Sequence, residues 1–201
     1  MKNPYVLPKE VKPVKYNIEL IPDFKESFNG YEEIEINILK ETKQIKLNAK
    51  NIKIISASIH QPNHLAPNKI KYDKKTRTVT FFFNKLIKKG KAVLKIKFNG
   101  KLREDMRGFY KSTYVLPNGT KKTMLTTQFE PNDACEAFPC FDEPELKAKF
   151  NINLVIPKNL GAISNMQMKK EIISKEQKKV IFHETPIMST YLVAFVIGEF
   201  E

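Results

Sequence analysis

Two residues with hydrogen-bonding side chains, Gln128 and Glu130, lie two positions apart in the segment 127–144. On an extended strand they would point to one face, while Phe129 between them would point to the other. A sheet can present a small recognition site in this way, with a carboxylate and a carboxamide facing outward. Pro131 cannot donate to a strand ladder, so we expect the strand to end just after Glu130. An ordinary half-exposed strand has the same spacing and remains the simpler interpretation of the pattern.

The three histidines do not form a metal-binding motif. His60 and His64 have the i, i+4 spacing of a helical ligand pair, but Pro62 lies between them and disfavours a helix. His183 is followed by Glu184 without a second histidine at the spacing that a zinc helix needs. We therefore expect no metal ligand and no catalytic residue in this chain.

The cysteine content indicates a reducing compartment. Cys135 and Cys140 are the only two cysteines, which argues against a secreted disulfide framework and favours two reduced thiols in a cytoplasmic protein. A single pair of thiols is a weak signal for a metal site. The N-terminus has no signal-peptide pattern, and no apolar run is long enough to cross a bilayer. We predict a soluble protein without a membrane partner.

The strongly basic charge rests on lysine. The formal net charge is +13, but Arg77, Arg103 and Arg107 are the only arginines. Surfaces that read bases or clamp phosphates tend to use the arginine fork, and no nucleic-acid-binding motif accompanies the charge. We expect a lysine-rich solvated surface and no nucleic-acid partner. The alternative function is a stand-alone β-sandwich module whose basic face binds an acidic partner.

Apolar residues alternate with polar ones throughout the 201 residues, which predicts an all-β protein of one domain, residues 1–201. Segments 16–20 and 34–38 flank Asn29-Gly30 and should form an antiparallel pair. A hairpin is expected from segments 108–114 and 124–130. Strands at about ten-residue spacing are typical of an antiparallel sandwich or barrel, with at most one short helix at residues 132–138.

Three further expectations concern individual segments. Ile55, Ala57 and Ile59 should face inward from one strand, and the proline-containing segment 61–68 should be a loop. Residues 190–197 are apolar on both faces and should form a central buried strand. Because the sequence stops at Glu201, soon after that strand, we expect it to be the front part of a longer protein.

Several long motifs, in the same order, resemble the N-terminal domain of zinc aminopeptidases of the aminopeptidase N and puromycin-sensitive aminopeptidase family. In that family the domain is a saddle-like antiparallel β-sandwich packed against a thermolysin-like catalytic domain. The resemblance therefore implies the same fold here. The segments that carry it are residues 7–16, 28–30, 108–110, 128–144, 162–166 and 185–195.

The resemblance implies that Glu130 binds the free α-ammonium of a peptide substrate and that Gln128 lines the pocket for its first side chain. The HExxH helix, the further glutamate ligand and the Gly-Ala-Met-Glu-Asn strip of the family are not in this sequence. We therefore expect a substrate-binding domain that is inert alone. Zinc and catalysis would belong to a catalytic domain in the same or a separate chain. The present sequence would be an excised fragment, a truncated gene product or one subunit of a split enzyme.

One departure from the family lies within the best motif. Cys135 and Glu136 stand where relatives commonly have two arginines, close to Asp142 and Glu143. The exchange puts the usual salt-bridge support of this turn in question, and both a loss of support and a compensated change remain open. Cys135 could instead pack as a small apolar residue.

Overall fold

The computed structural model of the protein describes residues 3–200, so residues 1, 2 and 201, at the ends of the predicted domain, lie outside the described residues. This part of the chain contains two single-turn 3₁₀ helices, no α-helix and fifteen strands. The strands are β1 (Val11–Pro22), β2 (Ser27–Ile38), β3 (Thr42–Asn48), β4 (Ile52–Gln61), β5 (Asn63–Leu65), β6 (Lys69–Asp73), β7 (Thr78–Ile87), β8 (Gly90–Lys101), β9 (Gly108–Val115), β10 (Lys121–Gln128), β11 (Lys149–Pro157), β12 (Gly161–Ser164), β13 (Met168–Ile173), β14 (Gln177–Phe182) and β15 (Phe195–Gly198).

Three sheets pack around the core. The largest has eight strands in the order β13-β14-β11-β1-β2-β8-β4-β5. A four-stranded sheet has the order β12-β15-β10-β9, and a three-stranded sheet has the order β3-β7-β6. The prediction of an all-β sandwich is confirmed.

The centre of the large sheet follows the alternation of the sequence. On β1, Tyr16, Ile18 and Leu20 are fully buried, and β2 pairs with β1 antiparallel from Val11↔Ile38 to Pro22↔Phe28. The predicted hairpin of β9 and β10 is also present, with Leu125 opposite Lys111. Tyr16, Ile18 and Leu20 thus share the core face of β1, as the period of two requires.

One strand pair differs from the expected antiparallel architecture. β11 lies beside β1 in parallel orientation, with Tyr16 opposite Phe150 and Leu20 opposite Leu154. The rings of Tyr16 and Phe150 stack, with their centroids 4.9 Å apart. Parallel neighbours need a long crossover, and here the chain between them builds most of the other strands.

Two expectations for β4 and its surroundings were wrong in part. Ile59 is buried as expected, but Ile55 is 59% exposed, because the register of β4 against β8 shifts between Ile54 and Ser56. This bulge leaves Ile54 before it and Ile59 after it on the inward face. The segment 61–68 is not wholly a loop. Its first part folds back as β5, in which His64 pairs with His60 of β4.

Two expectations for helical and apolar segments also need correction. The predicted short helix is a single 3₁₀ turn, Ala134–Glu136. A second such turn, Thr190–Leu192, occupies the first part of the expected central strand 190–197. The strand β15 therefore begins only at Phe195, although it does lie between β12 and β10 within its sheet. The local bend leaves Leu192 about half exposed.

Candidate functional site

Gln128 and Glu130 are both exposed, on either side of the buried Phe129. The strand β10 ends at Gln128, two residues before Glu130, where Pro131 led us to expect its end. The reason is that its neighbour β9 begins at Gly108, opposite Gln128, so no ladder partner remains beyond that pair. Glu130 therefore lies in the turn after the strand rather than on it.

Phe129 fixes the backbone between the two polar residues. Its ring packs edge-to-face against Phe138 at 5.9 Å and Phe195 at 6.2 Å between centroids. Just before it, the Thr127 hydroxyl accepts a hydrogen bond of 3.1 Å from the Phe195 amide. Buried aromatic residues and a main-chain contact thus hold the segment from both sides, so Glu130 projects from a rigid support.

The turn after Glu130 is organised by an arginine from a distant loop. The Phe129 carbonyl accepts a 2.8 Å hydrogen bond from the Asp133 amide. Asp133 does not cap the following 3₁₀ turn with its side chain. Instead, its carboxylate accepts a 2.6 Å hydrogen bond from Nη2 of Arg77, while Nη1 donates to the Asn132 side chain at 3.2 Å.

Glu136 is buried, and three cationic side chains surround its carboxylate. Its Oε1 lies 2.7 Å from Nζ of Lys50 and 3.5 Å from Nη2 of Arg77, and its Oε2 accepts a 2.5 Å hydrogen bond from Nη1 of Arg103. Gly108, with φ +61, leaves room for this side chain, because an added Cβ would come within 2.8 Å of the Glu136 Cβ. The turn therefore has ion-pair support, in which Glu136 supplies the negative charge.

Asp142 is supported by neutral donors. Its Oδ2 accepts a 3.1 Å hydrogen bond from the Cys135 amide, and its Oδ1 accepts one of 2.7 Å from the Thr190 hydroxyl. Burial raises the pKa of Asp142 above its usual range, and these hydrogen bonds oppose the rise. Cys135 itself is 1% exposed, as expected for a small apolar residue, and burial raises the pKa of its thiol.

Glu143 and Cys140 tie the same motif to other parts of the fold. Oε1 of Glu143 accepts a 2.5 Å hydrogen bond from the amide of Leu7, which fastens the N-terminal segment to the motif. The backbone of Cys140 forms an isolated bridge with Asn48 at the end of β3. Both cysteine thiols are free and buried, and burial raises the pKa of Cys140 well above its usual range.

The cation cluster around Glu136 was missed by reasoning from the sequence. Lys50, Arg77 and Arg103 lie far from Glu136 and from one another along the chain, so no spacing pattern connects them. One signal was available. In a chain that uses lysine almost throughout, two of its three arginines converge on this turn, where a fork of donors can serve several acceptors at once.

The described residues do not fit a zinc centre. Within residues 3–200, no three His, Cys, Asp or Glu side chains are grouped so that they could hold a metal ion. His60 and His64 face each other across the β4–β5 hairpin, with ring centroids 4.7 Å apart, and Nε2 of His60 lies 3.3 Å from the Ser58 hydroxyl. The same part of the chain has no helix with the length and apolar character of a membrane span.

The family model of the Peptidase M1 N-terminal domain matches residues 12–192. The chain therefore belongs to the Peptidase M1 N-terminal domain family. The predicted family resemblance is confirmed, and the match covers the Gln128–Glu130 segment and the turn that supports it.

Relatives from three kingdoms of life agree with this membership. The chain is 41% identical over 201 residues to Aminopeptidase M1 of Arabidopsis thaliana, covering 97% of this chain and 23% of that protein. It is 41% identical over 197 residues to Aminopeptidase 2 of Candida albicans, covering 96% of the chain and 21% of that protein. Puromycin-sensitive aminopeptidase of Caenorhabditis elegans is 40% identical over 200 residues, covering 97% and 21%. The chain thus spans less than a quarter of the length of these relatives.

Proposed function

We propose that this chain is the substrate-amine-binding part of a zinc metalloaminopeptidase that removes N-terminal residues from peptides. The observation that carries the proposal is that the Glu130 side chain is exposed and, within the described chain, unpaired beside a buried residue. Its carboxylate is exposed, forms no ion pair within residues 3–200, and follows a residue that is locked in the core. A free carboxylate on a rigid support is suited to a substrate's α-ammonium group, and charge-assisted hydrogen bonds strengthen that contact.

Gln128 would line the pocket for the first side chain of the peptide. Its carboxamide can donate and accept hydrogen bonds, and its place at the end of β10 puts it next to Glu130. A zinc ion on an HExxH helix elsewhere in the enzyme would supply the activated water and polarise the scissile carbonyl. The residues of this chain would hold the amino end, which fixes the distance to the scissile bond and favours removal of one residue.

The outer face of the four-stranded sheet is the surface that we assign to the catalytic part. Ile163, Val196, Thr126 and Tyr110 lie side by side across this sheet, and Ile163 is 54% exposed. Gln128 follows Thr126 on the same face of β10. A catalytic domain packed on these four residues would therefore bury apolar surface and place the amino-binding residues at the edge of the interface.

The proposal is tested in a hybrid in which residues 12–192 replace the matching region of the Arabidopsis thaliana relative. We expect Glu130→Ala to lower kcat/KM for aminoacyl-arylamides about ten- to a hundredfold, the value of a charge-assisted hydrogen bond. We expect Gln128→Ala to change the preference among first side chains about three- to tenfold. Glu41→Ala, at an exposed glutamate between β2 and β3, is the matched control and should leave both unchanged.

Two results would contradict the proposal. One is equal activity of the Glu130→Ala and Glu41→Ala hybrids. The other is hydrolysis of aminoacyl-arylamides by the 201-residue chain alone with stoichiometric zinc, since the described residues offer no zinc ligand set. Co-purification from source cells would show whether a protein with an HExxH motif accompanies the chain.

We also propose a cytoplasmic location. The free, buried thiols of Cys135 and Cys140 support it, because both are compatible with a reducing compartment. Fractionation of source cells with an antibody to the chain tests this proposal, and recovery of the chain from a secretory fraction would contradict it.

A further inference from the structure

A concavity, remote in sequence from the Gln128–Glu130 segment, lies between the β4–β5 hairpin and the turn that joins β7 to β8. Its volume is about 610 Å³. Two apolar side chains of its lining are accessible, Leu86, which is 46% exposed, and Leu65, which is half-buried. Four lysines surround this part: Lys85, Lys88, Lys89 and Lys91.

The lysines of this concavity have no counter-charges in the described structure. All four are exposed, and none forms an ion pair within residues 3–200. No aspartate or glutamate lines the concavity. Glu35 lines a neighbouring depression that shares Gln61 and Lys91 with it. Further along β8, Lys95 by contrast is paired with Glu33 at 2.8 Å.

The β7–β8 turn is held in place by one side chain. Nε2 of Gln61 donates hydrogen bonds to the carbonyls of Lys88 at 2.9 Å and Lys91 at 3.2 Å. Its Oε1 accepts a 3.0 Å hydrogen bond from the Lys88 amide. Three hydrogen bonds from a single residue at the end of β4 therefore fix the backbone that carries the lysines. A fixed backbone lowers the entropy that a ligand must remove on binding.

We propose that this concavity binds an acidic peptide segment that also carries apolar side chains. The unpaired lysines would contact its carboxylates, and the apolar lining would accept the residues between them. Lysine is a point charge suited to single carboxylate contacts. The lining has no arginine, phenylalanine, tyrosine or tryptophan. Proteins that bind single-stranded nucleic acid commonly use these residues to stack against bases and to contact phosphates.

The test uses a fluorescein-labelled peptide of four Glu-Leu repeats and the 201-residue chain, with a Gln-Leu peptide as the uncharged control. We expect binding of the Glu-Leu peptide only, and weaker binding as salt rises. Lys88→Gln/Lys89→Gln should weaken it about three- to tenfold, as for two partly exposed charge contacts. The matched control, Lys169→Gln/Lys170→Gln on β13, makes the same change in net charge and should not alter binding.

A second variant separates a built site from diffuse charge. Gln61→Ala keeps every lysine but releases the turn, so we expect weaker binding without any change in net charge. Chemical shifts of the amides in β4, β5 and the β7–β8 turn should respond to the peptide. Circular dichroism verifies folding, and Lys85→Gln/Lys91→Gln replaces the Gln61 variant if that variant is unfolded. Three results would each overturn the proposal. The first is an equal loss of peptide affinity in the Lys88→Gln/Lys89→Gln and Lys169→Gln/Lys170→Gln variants. The others are tighter binding of tripolyphosphate or a thymine oligonucleotide than of the Glu-Leu peptide, and no binding of the Glu-Leu peptide.

Discussion

Two glutamates, Glu136 and Glu32, are buried to nearly the same extent in very different surroundings. The Glu136 side chain is 1% exposed and has Lys50, Arg77 and Arg103 around its carboxylate. Glu32 is fully buried on the inner face of β2, and neither of its carboxylate oxygens has a hydrogen-bond partner in the described structure. On the neighbouring strands, Ile18 and Ile96 lie opposite it.

The difference shows two ways in which a fold can contain a buried carboxyl group. At Glu136, cations from three separate loops contact the carboxylate and compensate the loss of its hydration. At Glu32, burial raises the pKa well above its usual range, and the neutral form is favoured instead. The first arrangement joins distant segments behind the candidate site, whereas the second weakens the sheet in which it lies.

The largest effect is expected from Glu136→Ala. The substitution leaves Lys50, Arg77 and Arg103 close together without the shared carboxylate, and breaking a buried ion pair in this way costs about 3–5 kcal/mol. We expect a free energy of unfolding in urea that is lower by this amount. Added salt should restore part of the loss, because it screens the repulsion among the cations. A change below about 0.5 kcal/mol would mean that the cluster contributes no support.

Glu32→Gln should have the opposite sign and raise the free energy of unfolding by about 1–3 kcal/mol at neutral pH. The folded-state pKa is raised, so the folded protein binds more protons than the unfolded chain above the unfolded pKa. Stability therefore falls as pH rises from the unfolded value toward the folded one. The glutamine variant lacks this loss, so its advantage should shrink toward pH about 4. Urea titrations at several pH values measure the difference in free energy of unfolding between the variant and the parent protein. A difference that is independent of pH would contradict a raised pKa of Glu32 in the folded protein.

Lys50→Met should cost about 1 kcal/mol, less than Glu136→Ala, because Lys50 is 33% exposed and Arg77 and Arg103 remain beside the carboxylate. A double-mutant cycle with Glu136→Ala isolates the pair. We expect a favourable coupling energy between the two residues. Additive effects of the two substitutions would show that Lys50 does not act through Glu136.

The smallest effect is expected from Glu33→Gln, which is also the matched control for Glu32→Gln. Glu33 points to the opposite face of β2, where Lys95 and the Tyr31 hydroxyl lower its pKa. Its stabilisation is therefore present above the unfolded pKa and lost as pH falls through the folded value. We expect a loss of about 0.5 kcal/mol at neutral pH, in the range of exposed pairs. A gain comparable to that of Glu32→Gln would show that the buried position is not the cause.

Periodicity predicted the fold well where strands are regular. It predicted the β1–β2 pair and the β9–β10 hairpin, because each face of these strands has one solvent environment. It failed at Ile55, where a bulge shifts the face, and at Thr190–Leu192, where a bend interrupts an apolar run. Neither the bulge nor the bend alters the apolar pattern of its segment, so the local sequence does not reveal either of them.

The candidate site was predictable only in part. The spacing of Gln128, Phe129 and Glu130 gave the buried and exposed positions, but not the earlier end of β10, which depends on where β9 begins. The inward position of Glu32 could have been read from its parity with Ile34 on the same strand. The partners of Glu136 could not, since they meet only after three loops converge.

The parallel pairing of β1 with β11 also has a consequence for biosynthesis. Residues 15–20 cannot pair with residues 149–154 until more than a hundred further residues have been translated. At a rate of roughly 5–20 residues per second, the apolar strand β1 waits on the order of ten seconds with one edge open. During that time β2 protects only its other side, so the nascent chain presents an unpaired strand edge that can recruit a second nascent chain or a chaperone.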